Sequence, residues 1–195
     1  MMGGVSPRTR PEPAALRHVL VAGGTPGEWQ AMSAERWGER LAMLAEHVSG
    51  AGGTWLTIHP IGPDPGPSDP RSDAPATWPQ GPFDVGGVNV VVRCEADARG
   101  RMSTVLAELA DAGATGETLT ESELGAAFAS PAPIEPDLAI LFGPDDVLPL
   151  SLSWELAYAE VVFIPAGWVD VDPIVVKSAV AEYFTRNRRF GGVDG

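Results

Sequence analysis

Three arginines near the C-terminus, Arg186, Arg188 and Arg189, run into Phe190, Gly191 and Gly192. Guanidinium groups fork onto diphosphate oxygens, and glycines behind them let backbone amides approach a phosphate closely. The same run also fits a solvated charged tail. A second glycine-rich stretch, Gly23 to Gly27, could form a backbone nest that holds an anion weakly. Asp145 and Asp146 could be a metal pair, but GPDD reads first as a turn. His47 and His59 have no ligand partners at metal spacing and read as exposed, structural residues. His18 reads first as the start of a strand.

The bulk properties narrow the classes. The chain has 195 residues, enough for one domain with a real core. With 26 acidic and 13 basic residues its net charge is −13, which argues against non-specific nucleic-acid binding or attraction to an anionic membrane. Cys94 is the single cysteine, so an internal disulfide is impossible and a reduced, cytoplasmic setting fits best. No run approaches the ~20 apolar residues of a membrane span, so membrane contact is expected only through a partner or a lipid product.

The elements that must position these residues alternate. Residues 1–16 read as a disordered leader. His18–Ala22 is a short apolar run, a buried strand that ends in a tight glycine loop. Trp29 to Val48 has helical period and stops at Ala51–Gly53, and Thr54–Pro60 is a second strand. Gly62–Phe83 is too rich in proline and glycine for helix or central strand and reads as a long loop. Val88–Arg93 is a third strand. Arg101–Ala112 is a helix with Met102, Val105, Leu106 and Leu109 on one face, and Leu119–Phe128 is a helix opened by Thr120 and Glu123. Leu138–Phe142 and Val161–Pro165 are strands four and five, separated by a helix over Leu152–Ala159. Asp172–Phe184 is the last helix. This order predicts an α/β fold with a mainly parallel sheet of about five strands flanked by helices, in a single domain over 17–192 with a tail at 193–195.

Against that background two stretches resemble the cis-prenyltransferases, the undecaprenyl diphosphate synthase family. HVLVAGGTPGEWQ resembles the family's HVAxIMDGNGRWA, with His18, Val19, Gly27 and Trp29 in place, and LTIHPIG resembles its LTLYAFS. Farther on, PDLAILFGPDDVLPLSLSWELAYAEVVF and the tail RRFGG match through Asp137, Leu138, Ile140, Gly143, Trp154, Ala157, Tyr158, Ala159, Glu160, Phe163 and Arg188–Gly192. The resemblance spans residues 17–60 and 136–192 and implies an undecaprenyl diphosphate synthase-like fold. The charged groups are where it departs. The family's magnesium-holding aspartate falls on Gly24, its asparagine on Pro26 and its arginine on Glu28. The arginine of IRTSGE falls on Leu141, and the arginine and serine of RxS fall on Val147 and Pro149. Glu160 keeps the place of a metal-contacting glutamate, with a role within an interface as the equal alternative.

Prenyl transfer needs cationic donors and a metal aimed at a diphosphate leaving group, so these losses imply no catalysis by the chain alone. PDLxxxFGP and a C-terminal RxG resemble the non-catalytic, Nogo-B receptor-like subunits that pair with a catalytic cis-prenyltransferase. The resemblance thus implies a subunit of a heteromeric transferase making long-chain polyprenyl diphosphate. Arg189, Phe190, Gly191 and Gly192 would enter the partner's diphosphate site. The contact would run through Trp154, Tyr158, Glu160, Val162 and Phe163, as a homodimer when the chain is made alone. No catalytic residue, metal ligand or cofactor of its own is expected, and magnesium belongs to the partner. Two alternatives stay open: a small homodimeric prenyltransferase with unusual ligands, and a non-enzymatic polyprenyl-phosphate-binding or scaffold protein.

Overall fold

The computed structural model describes residues 15–61, 79, 81–93, 98–143 and 148–186. The first strand, β1 (His18–Ala22), leads into two helices, α1 (Pro26–Ala31) and α2 (Ala34–Gly50). Then come β2 (Trp55–His59), β3 (Phe83–Val85), β4 (Val88–Val92), α3 (Ala98–Asp111) and α4 (Glu121–Ala129). The chain continues through β5 (Leu138–Phe142), α5 (Ser153–Tyr158), β6 (Glu160–Ile164) and α6 (Pro173–Thr185). Among the described residues the strands form one sheet in the order β3-β4-β2-β1-β5-β6, and every pairing is parallel except the β3–β4 hairpin.

Two local features depart from the sequence expectation. The sheet has six strands where about five were expected, because β3 precedes β4 across a two-residue turn. Gly86 and Gly87 both have positive φ there, 61° and 86°, the condition for the tight turn whose twist suits a hairpin. Phe83, the last residue of the expected long loop, therefore opens a strand; most of that loop lies outside the described residues. The single helix expected over Trp29–Val48 is two. Met32 is extended, and the Ser33 side chain caps α2 by accepting the Arg36 N–H, which supplies the new helix with one of its missing acceptors.

The two faces of the sheet are unequal. Alternate strand residues Val19, Val21, Leu56, Ile58, Val90, Val92, Leu138, Ile140, Val162 and Ile164 point into the main core. There α2 contributes Trp37, Leu41, Leu44 and Val48, and α6 contributes Val176, Ala179, Val180 and Tyr183. The opposite face carries a smaller cluster, Leu20, Ala22, Ala139, Leu141 and Leu152, with Leu156, Val161 and Phe163 half-buried around it. That second face is covered by α3, α4 and α5 and includes buried charge. At the start of the sheet, Asp137 ties β1 to β5: its Oδ2 accepts the backbone N–H groups of Arg17 (2.8 Å) and His18 (3.1 Å).

Candidate functional site

In an open parallel sheet, ligands bind beyond the carboxyl ends of the strands where the strand order reverses. Here that point lies where β1 sits between β2 and β5, so the crevice to inspect is formed by Gly23, Gly24 and Gly143. Gly23 donates to the His59 carbonyl at 3.0 Å, and Ile61 donates to the Gly24 carbonyl at 2.6 Å. The indole of Trp168, on the segment between β6 and α6, fills the space above them. A Cβ added to Gly24 would lie 2.6 Å from Trp168 Cδ1 and 2.9 Å from its Cβ, and Gly24 has φ of +74°. Trp168 is held by an aromatic cluster with ring centroids 5.9 Å away at Trp29, 6.0 Å at Trp37 and 6.1 Å at Phe142. Arg40 on α2 lies 4.8 Å above the same ring and donates to the Trp168 and Val169 carbonyls. The crevice end of β1 is thus packed with apolar side chains.

The glycine loop has also supplied its own anion. Thr25 caps α1 by accepting the Glu28 N–H at 3.2 Å, and Glu28 Oε2 accepts the Thr25 N–H at 2.7 Å. This reciprocal capping box with Pro26 at the first helical position fixes the loop. The expected nest therefore has a carboxylate on one of its amides. The T-x-x-E spacing of Thr25 and Glu28 was the readable signal, masked by taking GGTPG as a loop alone.

These residues do not fit a magnesium site. Gly24 offers no carboxylate, and a side chain there would have to displace Trp168 from a left-handed backbone position. Among the described residues no group of three or more His, Cys, Asp or Glu is placed to hold a metal ion. Leu141, in the place of an arginine by resemblance, is buried on the second face with Leu20, Ala22 and Leu152, and Pro149 is buried in the turn before α5.

The remaining sequence candidates are dispersed. Arg188, Arg189, Phe190, Gly191 and Gly192, and likewise Asp145, Asp146 and Val147, lie outside the described residues. Strand alternation turns Val162 into the main core, 5% exposed, while Phe163 stays half-buried on the second face. Trp154 stacks on Phe128 at 5.6 Å and donates to Glu135 Oε1 at 2.9 Å. Tyr158 is 57% exposed, and its hydroxyl donates to Glu121. Glu160 is half-buried, 3.7 Å from the Arg186 guanidinium. Arg186 also donates to the Val161 carbonyl at 2.6 Å, on the outer edge of β6.

Of the histidines, His18 opens β1 as its sequence reading expects, whereas His59 departs from its reading. His18 is buried between Ile134 and Thr57: its Nδ1 donates to the Ile134 carbonyl (2.8 Å), leaving Nε2 to accept from Thr57 Oγ1 (2.9 Å). The Thr57 hydroxyl could equally accept from a protonated ring, so it is burial that favours the neutral form and lowers the His18 pKa from the ordinary value. His59, expected to be exposed, is fully buried because β2 is a central strand, and neither ring nitrogen has a partner. Burial first, then the charges of Arg101 and Arg93, hold its pKa well below the ordinary value.

A buried ion pair was missed outright. Arg101 on α3 and Glu155 on α5, 4% and 3% exposed, bond directly, and Arg101 also donates to the carbonyls of Ser151 (2.8 Å) and Phe128 (3.0 Å). Both lie in segments that read simply as helices, where a charged residue reads as solvated. Away from these groups, a cleft of about 340 Å3 opens at the amino ends of β1 and β5, lined by Arg17, Ser122, Ile134, Glu135, Asp137 and Tyr158.

Fold and crevice together define an α/β protein of the undecaprenyl diphosphate synthase architecture. A probable undecaprenyl diphosphate synthase from Campylobacter jejuni superposes with a TM-score of 0.58 at 14% identity, covering 91% of this chain and 99% of that one. Lavandulyl diphosphate synthase from Lavandula x intermedia, solved with dimethylallyl diphosphate, gives the same values. In sequence, isoprenyl transferase 2 of Bradyrhizobium diazoefficiens is 40% identical over 76 residues, 39% of this chain and 30% of that protein. An isoprenyl transferase of Rhizobium meliloti is 31% identical over 111 residues, 55% of this chain and 45% of that one. The chain therefore spans less than half the length of these curated relatives, and no protein-family model matches it. Among the described residues no helix is long and apolar enough to cross a membrane.

Proposed function

We propose that this chain is the non-catalytic subunit of a heteromeric cis-prenyltransferase that makes long-chain polyprenyl diphosphate. The likeness to isoprenyl transferases supplies the family. The observation that carries the non-catalytic reading is the packing of Trp168 on Gly24, in the crevice where the leaving diphosphate and its metal would have to sit. Glu28 adds a negative charge to the loop that would otherwise receive phosphate, and Leu141 offers no donor.

The chain's contribution is then to its partner. Its outer strand β6 and helix α5 offer an edge for association, with Tyr158 exposed, Glu160 and Phe163 half-buried beside it and Trp154 behind them. Arg189 and the amides of Phe190, Gly191 and Gly192 extend into the partner's diphosphate site, where the partner holds magnesium. A homodimeric prenyltransferase is the second reading, favoured by the 40% identity to an isoprenyl transferase over 76 residues. Co-expression with the catalytic isoprenyl transferase of the same genome separates them. The subunit reading expects a co-purifying heteromer more active than the catalytic chain alone. No complex and no gain in activity contradicts it.

A further inference from the structure

The second face of the sheet contains a sealed group of polar atoms that the proposed function leaves unused. His59 ends β2 with its ring fully buried and both nitrogens unpartnered. Across from it, the Arg101–Glu155 pair leaves Arg101 Nε and Glu155 Oε2 without partners. The charged groups that act on this ring come from three places: Arg93 just past β4, Arg101 on α3, and Glu155 through its pair with Arg101. The strands β1 and β5 bring Leu20, Ala22, Ala139 and Leu141 to this face, and at the other end of β1 His18, whose ring is paired with Thr57 Oγ1 and the Ile134 carbonyl. A neutral imidazole can be tolerated there. An imidazolium would need an acceptor, and within this cluster the unpartnered one is Glu155 Oε2. Two guanidiniums and an imidazolium would then face one carboxylate in a site closed to water, a charge imbalance that burial makes costly.

We infer that His59 is an acid-sensitive latch on the layer that covers this face: protonation releases α3 and α5 from the sheet while the main core stays closed. The geometry localises the effect. Arg101 is the clamp of α3, joining it to the Ser151 carbonyl, the Phe128 carbonyl and Glu155. Glu155 is the one buried residue of the six-residue helix α5, so losing its partner unseats that helix. On the other side, α2 and α6 are held by an apolar core that no proton can reach. Because α5 also carries Trp154 and Tyr158, acid would weaken the proposed association, a consequence that rests on the function proposed above; the latch itself does not.

Hydrogen exchange of the unmodified chain across pH 7.5 to 5.5, corrected for intrinsic exchange rates, tests this directly. Protection in α3 and α5 should fall by up to about tenfold per pH unit below about 6.5, the limit for one coupled proton, through an opening that leaves β1, β5 and α2 more protected than α3 and α5 at every pH. His59→Gln should remove that dependence. NMR titration of the His59 ring in the unmodified chain gives the same test without a variant: the ring should stay neutral below 6.5 and protonate only as α3 and α5 open. The latch is overturned if α3 and α5 stay as protected as the main core at every pH or lose no protection in acid, if the Gln variant keeps the pH dependence in α3 and α5, or if the ring titrates near 6.5 while the layer stays closed. None of these outcomes depends on a partner, so they leave the subunit proposal to its own test.

Discussion

Gly24 lies against the indole of Trp168 so closely that a single added carbon would meet Cδ1 at 2.6 Å. The residue type at position 24 and the packing of the segment between β6 and α6 are therefore coupled. Replacing Gly24 alone does not rebuild a metal ligand, because the carboxylate would have to enter space that an aromatic cluster fills.

Gly24→Asp should accordingly destabilise the chain by about 2–4 kcal/mol, combining left-handed backbone strain with overpacking. Adding Glu28→Arg removes the capping box and should cost about 1 kcal/mol more. Neither variant should gain turnover with isopentenyl and allylic diphosphates, since Leu141 and Pro149 still offer no donors and catalysis needs both substrates held together. Denaturant unfolding gives the first quantity and a prenyl-transfer assay the second. Wild-type stability with measurable turnover would mean that Trp168 yields easily.

The Arg101–Glu155 pair makes a separable prediction. Arg101→Met leaves a buried carboxylate alone and should cost about 3–5 kcal/mol, whereas Arg101→Met with Glu155→Met should be near neutral or stabilising. Unfolding midpoints of the two variants decide this. Equal losses in both would show that the pair's value is not electrostatic.

Stability should fall as acid is added between about pH 6.5 and 5. Burial lowers the folded-state pKa of both His18 and His59, so below the ordinary value near 6.5 the unfolded chain binds more protons than the folded one. The slope of unfolding free energy against pH is then positive in this window and flat above it. Urea titrations at pH 7.5, 6.5 and 5.5 measure it, and a stability that is constant or rises on acidification contradicts the buried, neutral state of both rings.

The architecture was legible because strand and helix periods differ sharply. Val19 and Val21 lie within the unbroken apolar run over residues 19–22, as a strand buried on both faces allows, and Leu56 and Ile58 alternate with Thr57 and His59 at the strand period of two. The β3–β4 hairpin escaped because three residues are too few for a period, and its one signal was the Gly86-Gly87 pair. The break at Met32–Ser33 escaped because the apolar spacing stays helical across it while only Ser33 signals a cap. The crevice was half legible. The missing charges at Gly24, Glu28 and Leu141 could be read along the chain, but Trp168 is 144 positions from Gly24, and only the fold brings them together. Arg101 and Glu155 were illegible for a similar reason: a charge on a helix reads as solvated until the helix's neighbours are known.

Association should depend on Tyr158, which is exposed enough that changing it spares the fold. Tyr158→Asp puts a second carboxylate beside Glu121 at the proposed contact and should weaken dimerisation by about 3 kcal/mol, roughly a hundredfold in Kd. Analytical ultracentrifugation of both forms checks this. A monodisperse monomer of the unmodified protein across micromolar concentrations would contradict the proposed edge.

The tail supplies a test within the heteromer. Arg189→Ala should lower kcat/KM by about ten- to a hundredfold, the loss of one charge-assisted bond to diphosphate, without changing complex formation. Removing residues 193–195 should do little. Full activity of the Arg189 variant would make the tail a solvated charge run.

Incorporation of labelled isopentenyl diphosphate into polyprenyl product, with magnesium and farnesyl diphosphate, is the most direct measurement of all. It is made on the purified chain alone and again after adding the catalytic isoprenyl transferase of the same genome. The account predicts no product from the chain alone and more product from the mixture than from the catalytic chain by itself. Sustained product formation by the chain alone would contradict it.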